Sequence, residues 1–347
     1  MSGDAVSQTT SHRFGVAKEN LYGNVVHPHG QAMLLDPGKL KAKLTGLMPA
    51  MVTPFKEDFE IDRRGLQSNV DFLIENGIDV LVPCGTNGEF SSLTVDEIKE
   101  VIKIVVDQAN GKVPVVAGTS STSTRVAIEL AKYAQDVGAS GVMVLPPYYV
   151  RPSPDEIYRH FEMVANAIDI GVVIYNNPST TKIELKPDFL INLTQIPNIV
   201  GVKETITNTD EFQEALTKIG DKMAVITGSE VIAIFCFILG SKSIVSPTPQ
   251  FAPQLLRELL SSVQNGDLPK AFEIHRKLIA YRQLFAESTA KGFAKYIHYT
   301  KAAMNLMGLA AGPTRPPLLP LSNSEIQKLE RVLREELRIL PVAKTAI

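Results

Sequence analysis

From Gly46 onward the chain alternates between two kinds of segment. Short runs rich in β-branched and other apolar residues, GLMPAMVT, DVLVPC, VPVVAG, GVMVLP, GVVIYN, NIVGVK, MAVITG and SIVSP, recur at roughly 20- to 35-residue intervals. Between them lie amphipathic stretches such as Arg63 to Glu75, Thr94 to Ala109, Ser123 to Val137 and Ser153 to Ala167. These carry apolar residues at helical spacing and Ser, Thr or Asp at several starts. Strands that are apolar on both faces and separated by helices form parallel βαβ units. Eight such units predict an α/β fold closed into a (β/α)8 TIM barrel. The competing architecture, an open doubly wound sheet, usually shows a glycine-rich dinucleotide turn after its first strand, and none is present.

The flanks read differently. Residues 1–43 are polar, mixed in charge and weakly periodic, and include His27-Pro28-His29-Gly30, so they are expected to form an arm outside the barrel. The barrel is assigned to 44–265. In 266–347 three helical stretches follow, Asp267 to about Glu287, Phe293 to Met307 and Ser322 to about Leu337, the last after TRPPLLPLS. They predict a three-helix C-terminal extension suited to subunit contacts.

Composition narrows the function. Across 347 residues, 35 Lys and Arg face 37 Asp and Glu, a net charge of -2 with no block of like sign. Nucleic acid and anionic membrane partners are therefore not expected. No apolar run approaches the roughly 18 residues of a membrane span, and no basic-then-apolar leader opens the chain. Cys84 and Cys236 stand far apart with no CxxC pair, which points to a reducing, cytoplasmic setting. The six histidines, His12, His27, His29, His160, His275 and His298, all avoid strand ends, so no metal is expected.

In a barrel the residues just after each strand build the active site. Those positions hold Thr53, the turn Gly85-Thr86-Asn87-Gly88-Glu89, Tyr148-Tyr149, Tyr175-Asn176-Asn177, Lys203-Glu204, Gly228-Ser229-Glu230 and Ser246-Pro247-Thr248. Lys203 ends the apolar run Asn198-Ile-Val-Gly-Val and is expected to enter the barrel mouth. Burial disfavours an ammonium ion, which would free the amine to attack a carbonyl and form a Schiff base. The alternative is that Lys203 snorkels outward to pair with Glu204. Tyr175 ends the neighbouring strand, where a phenol could carry protons or simply fill the rim. The Gly85–Gly88 turn offers amides and a hydroxyl for a carboxylate, or is a plain tight turn.

Five motifs together resemble the dihydrodipicolinate synthase/N-acetylneuraminate lyase family. They are Gly85-Thr-Asn-Gly-Glu89, Pro147-Tyr-Tyr149 with Arg151-Pro152, Tyr175-Asn-Asn-Pro178, Gly201-Val-Lys203-Glu204 and Arg315-Pro-Pro-Leu318. The resemblance spans roughly Leu44 to Leu337. It implies a class I aldolase with no cofactor beyond a covalent imine, acting on pyruvate or a related 2-oxo acid, as a homotetramer or homodimer. By resemblance Lys203 is the Schiff-base lysine, Tyr175 the proton carrier, and Thr86 with Asn87 the carboxylate turn. Tyr149 resembles a tyrosine lent across a subunit interface, and Gly228 and Val245 match pocket-lining positions. Gly85, Gly88, Arg151, Thr180 and Ser229 complete the expected substrate-binding set.

The departures carry information too. Synthases of the family usually read GTTGE, where this chain has Asn87. They carry a carboxylate-gripping Arg where this chain has Thr180, and losing a bidentate clamp argues against aspartate semialdehyde as partner. Phe90, Val95, Ile98, Thr122 and Val126 occupy the positions of the allosteric lysine site, so feedback by lysine is not expected. The main expectation is thus a lyase of the 4-hydroxy-2-oxoglutarate or 2-oxo-3-deoxy sugar acid type. Dihydrodipicolinate synthase and a 2-oxo-3-deoxy acid dehydratase are the alternatives within the family. A catalytically silent barrel acting as a binding subunit is the alternative outside it.

Overall fold

The computed structural model describes residues 35–291 and 294–340. The expected arm up to residue 34, with His12, His27 and His29, lies outside the described residues. Seven parallel strands form one curled sheet: β1 (Gly46–Pro49), β2 (Val116–Gly118), β3 (Gly141–Val144), β4 (Gly171–Asn176), β5 (Ile199–Glu204), β6 (Ala224–Thr227) and β7 (Ser243–Ser246). Their spatial order is β1-β7-β6-β5-β4-β3-β2. The segment 79–83 fills the gap between β1 and β2. Val82 bridges Ala50 on one side and Leu81 bridges Val115 on the other, both parallel.

The Met51 amide donates to the Val82 carbonyl at 3.0 Å, and the Val116 amide donates to that of Leu81 at 2.9 Å. The sheet therefore closes into the expected barrel, with the second expected strand reduced to bridges. Pro49, Pro83 and Pro114 cluster at this seam, and a proline cannot donate to a ladder.

Strand side chains alternate between two cores. Met48, Val82, Val116, Met143, Val173, Ile226 and Val245 fill the barrel interior, while Leu47, Val142, Val172, Val202 and Ile244 pack outward on the helices. The helices fall where the periodicity puts them. Arg63–Glu75, Val95–Ala109, Thr124–Asp136 and Pro154–Ala165 match the expected stretches. Thr94 with Glu97 and Ser153 with Glu156 form capping boxes, each satisfying two amides that the first turn leaves free.

The boundary drawn at residue 43 falls at the end of a helix, Pro37–Lys43, capped by Asp36. Its Leu40, with Leu44 beyond it, belongs to the interior core and plugs the floor of the barrel. Gly141 and Gly171 make room there, since a Cβ on either would lie 2.5 and 2.8 Å from the Leu40 Cδ2. The barrel unit thus begins before residue 44.

Beyond Pro253–Gln264 come Leu268–Gln283, Ala286–Ala290, Lys295–Leu306 and Asn323–Arg331. The first of these stops short of the expected Glu287 because Phe285 turns out of helical geometry. Its buried ring packs between Tyr281, 5.3 Å away, and Tyr299, 5.4 Å away. Among the described residues no helix is long and apolar enough to cross a membrane.

Candidate active site

The C-terminal ends of β4 and β5 stand side by side, with Tyr175 in register with Lys203 and Asn176 with Glu204. The two-residue strand period sends the first pair into the barrel and the second pair out of it. Lys203 is 4% exposed, and its Nζ lies 4.0 Å from the centroid of the Tyr175 ring. A cation at that distance over a π face is held electrostatically. Lys203 makes no ion pair with a described residue, so the outward pairing with Glu204 does not occur. Gly228 leaves space for its stem: a Cβ there would lie 3.0 Å from Lys203 Cε and 2.7 Å from Thr205 Cγ2.

The Tyr175 hydroxyl is 3.2 Å from Thr86 Oγ1, either oxygen being able to donate, and accepts a hydrogen bond from Asn177 Nδ2 at 3.1 Å. Asn177 is itself fixed. Its Oδ1 accepts from Ser179 Oγ at 2.9 Å and from Thr205 Oγ1 at 3.2 Å. Asn177 stands among the strand-end positions of the sequence but is given no role there. The signal that could have assigned one is the strand period carried one step past β4, from Tyr175 to the position two residues on.

Thr86 belongs to a tight 3-10 turn, Thr86–Gly88, that starts at Gly85. Among the described residues the Thr86 and Asn87 amides have no hydrogen-bond acceptor, while Gly88 and Glu89 donate to the Gly85 and Thr86 carbonyls. The Gly88 carbonyl accepts from Thr53 Oγ1 at 2.7 Å. A Cβ on Gly88 would lie 3.1 Å from the Met51 carbonyl oxygen, so the turn sits hard against the segment after β1. The Asn87 side-chain oxygen is buried with no hydrogen-bond partner among the described residues.

Glu89 ends this turn at φ 54°, ψ 35°, the left-handed region. For a residue with a Cβ that conformation costs about 1–2 kcal/mol. Glu89 is buried, and its Oε1 lies 2.6 Å from Lys301 Nζ. Burial pushes the Lys301 amine down to about 8, with Glu89 opposing the shift.

On the outer face, Asn176 Nδ2 donates to both Glu204 oxygens, at 2.9 and 3.2 Å, and to the Leu185 carbonyl at 3.0 Å. Asn176 Oδ1 accepts from the Leu185 amide at 3.1 Å, which ties down the loop 177–185. Burial raises the Glu204 carboxyl to about 8 although the Asn176 hydrogen bonds work against it.

The remaining expected residues divide. Val245 faces the interior core and Ser229 is buried beside Gly228. Arg151 and Thr180 are exposed, and Tyr149 is 88% exposed. Within one chain Tyr149 does not meet the Tyr175 hydroxyl. Its neighbour Tyr148 instead sets its ring edge-on to Phe90, 6.4 Å between centroids. Lys203, Tyr175, Thr86 and Gly228 therefore converge, while Tyr149, Arg151 and Thr180 stay at the surface. An amine, a phenol, a hydroxyl and free backbone amides at one buried barrel mouth are equipped for imine chemistry on an anionic carbonyl compound.

Over most of its length the chain is similar to known proteins. The family model described as dihydrodipicolinate synthetase matches residues 43–336. The 4-hydroxy-tetrahydrodipicolinate synthase of Methanothrix thermoacetophila is 38% identical, covering 83% of this chain and 95% of its own. That of Methanopyrus kandleri is 37% identical, covering 86% and 98%. Dihydrodipicolinate synthase from Aquifex aeolicus matches in structure with a TM-score of 0.79 at 32% identity, covering 86% of this chain and 100% of that one. A prophage protein of the dihydrodipicolinic acid synthase family from E. coli K12, solved in complex with pyruvate, matches with a TM-score of 0.80 at 31% identity, covering 85% and 99%.

Proposed function

Because this chain belongs to the dihydrodipicolinate synthetase family and is a lyase of the class I aldolase type, we propose that Lys203 forms its imine with pyruvate. The observation that carries the reading is Lys203 Nζ over the Tyr175 ring, with the Tyr175 hydroxyl bonded to Thr86 and Asn177. The pyruvate carboxylate would lie on the Thr86 and Asn87 amides, which presents the 2-oxo carbon to the lysine. The amine attacks that carbon, and the proton it sheds passes to the carbonyl oxygen to give a carbinolamine. Loss of water, with a second proton delivered to the departing oxygen, leaves the protonated imine. Removal of a proton from the methyl carbon then yields an enamine whose terminal carbon attacks an aldehyde. Tyr175 stands where these protons move, and the Asn177 donor stabilises its oxygen whenever it carries negative charge.

For the second substrate, the names of the relatives support condensation with the aldehyde used by 4-hydroxy-tetrahydrodipicolinate synthase. That reverses the order of preference drawn from the sequence. One observation favours a second reading, cleavage of 4-hydroxy-2-oxoglutarate or a 2-oxo-3-deoxy sugar acid. Thr180 is exposed where the family's synthases carry an Arg, and Lys182 beside it donates to the Ser179 carbonyl at 2.6 Å. The Tyr149 role rests on a second copy of the chain, as dimer or tetramer.

Two measurements test the proposal. Borohydride reduction in pyruvate should tag the Lys203 peptide, and Lys203→Ala should abolish the tag. Labelling elsewhere that survives the substitution would overturn it. A panel pairing pyruvate with aspartate semialdehyde, against pyruvate release from 4-hydroxy-2-oxoglutarate and 2-oxo-3-deoxy acids, then separates the two reactions.

A further inference from the structure

Lys301 and Glu89 are 212 residues apart in sequence yet form an ion pair of which neither side chain is more than 2% exposed. No step of imine chemistry needs them. Glu89 is nevertheless the residue that closes the Thr86–Gly88 turn, its amide donating to the Thr86 carbonyl at 3.1 Å. Both of its carboxylate oxygens are taken by the C-terminal region: Oε1 by Lys301 Nζ, and Oε2 by the Arg315 amide at 2.9 Å. Lys301 is anchored in turn. Its Nζ donates to the Pro313 carbonyl at 2.8 Å and lies 4.1 Å from the centroid of the Phe55 ring.

A second route runs through Phe55. Its amide donates to the Ala311 carbonyl at 3.2 Å, and the Arg315 guanidinium sits 4.4 Å from the same ring. Two residues before Phe55, Thr53 holds the Gly88 carbonyl. Arg315 also reaches Glu97 at 2.5 Å and the Ser92 carbonyl at 2.9 Å, on the helix and loop that follow the turn. The turn is therefore gripped at its last residue, from below and from its far side, by one helix and the segment after it.

We infer that Lys301 and Glu89 are positioning residues for the carboxylate-binding turn, acting through the left-handed backbone of Glu89 to set the Thr86 and Asn87 amides. The inference rests on the Schiff-base reading and deepens it. The C-terminal region on this view is part of the substrate-binding apparatus and not only a site for subunit contacts. The competing explanation is that the pair serves stability alone. Removing one partner of a buried pair leaves an uncompensated charge, whereas removing both relieves it. Stability and substrate affinity can thus be separated.

The experiment compares the full-length wild type with Lys301→Met and with the double variant Glu89→Gln/Lys301→Met. Three quantities are read: the pyruvate concentration giving half-maximal borohydride trapping, the trapping rate at saturation, and the thermal unfolding midpoint. Both variants should need about tenfold more pyruvate or greater, with a saturated rate within about threefold of wild type, because the turn positions the carboxylate and not the amine. The double variant should regain most of the midpoint lost in Lys301→Met without regaining affinity. If Lys301→Met does not fold, the double variant carries the test. A folded double variant with wild-type half-saturation would overturn the inference alone. No trapping in the wild type would overturn the Schiff-base reading and this inference with it.

Discussion

Glu204 gives a prediction whose sign and size follow from its surroundings. It stands one residue after Lys203 on the outer face of β5, 2% exposed, with Asn176 donating to both oxygens. Burial lifts its carboxyl from an ordinary 4.5 to about 8, with Glu184 and Glu211 adding to the rise and Lys186 and Asn176 opposing it. Between those values the folded chain holds a proton that the unfolded chain has released. Glu204 therefore contributes most to stability below about pH 4.5, and the contribution falls as pH rises through 8.

Each tenfold change in proton affinity is worth about 1.4 kcal/mol, so the loss between pH 5 and pH 9 reaches about 4 kcal/mol. Local relaxation that halves the effect would still leave about 2 kcal/mol. Glu204→Gln keeps the shape and an oxygen acceptor for Asn176 but cannot ionise. Any lost hydrogen bond costs about 0.5–1.5 kcal/mol at every pH alike. Urea unfolding of both proteins at pH 5, 7 and 9 should show the variant gaining on the wild type as pH rises, by about 2 to 4 kcal/mol across the range. A difference constant within about 0.5 kcal/mol would refute the reasoning, because a carboxylate ionised at all three pH values has nothing to release.

Three further outcomes are expected. Tyr175→Phe keeps the ring against Lys203 and removes the hydroxyl, so turnover should fall by about 10² or more while pyruvate trapping on Lys203 slows but persists; a loss below about fivefold with intact folding would leave Tyr175 a packing residue only. Asn177→Leu removes the donor to the Tyr175 oxygen and should lower turnover about tenfold with little change in pyruvate half-saturation, since one hydrogen bond is worth about 1 kcal/mol or somewhat more near developing charge. Activity followed with light scattering through a dilution series should fall as assemblies dissociate, and a fully active monomer would contradict the role proposed for Tyr149.

What the sequence revealed and what it hid have a common physical origin. Val95–Ala109 and Pro154–Ala165 were legible because capping chemistry and a 3.6-residue apolar period are written in consecutive residues. Lys203 and Tyr175 were legible because a polar residue ending an apolar strand stands out against the strand itself. The helix Pro37–Lys43 was hidden, since in seven residues it buries only Leu40. What makes Leu40 a core residue is the ring of strands around it, including Gly141 and Gly171 more than a hundred positions later.

The same holds more strongly for the polar site. Asn177 acts through a hydroxyl two residues back and through Ser179 and Thr205, and each bond depends on where β4 and β5 end in space. Lys301 read alone is an unremarked cation on a helix, and Glu89 the last letter of a turn. Only the folded chain shows that each supplies the other's counter-charge in a place where neither could be left alone. Residues that bind through backbone geometry are therefore readable from a motif. Residues that hold that geometry in place are set by partners the motif does not contain, and they are where substitutions should change affinity without touching the reacting atoms.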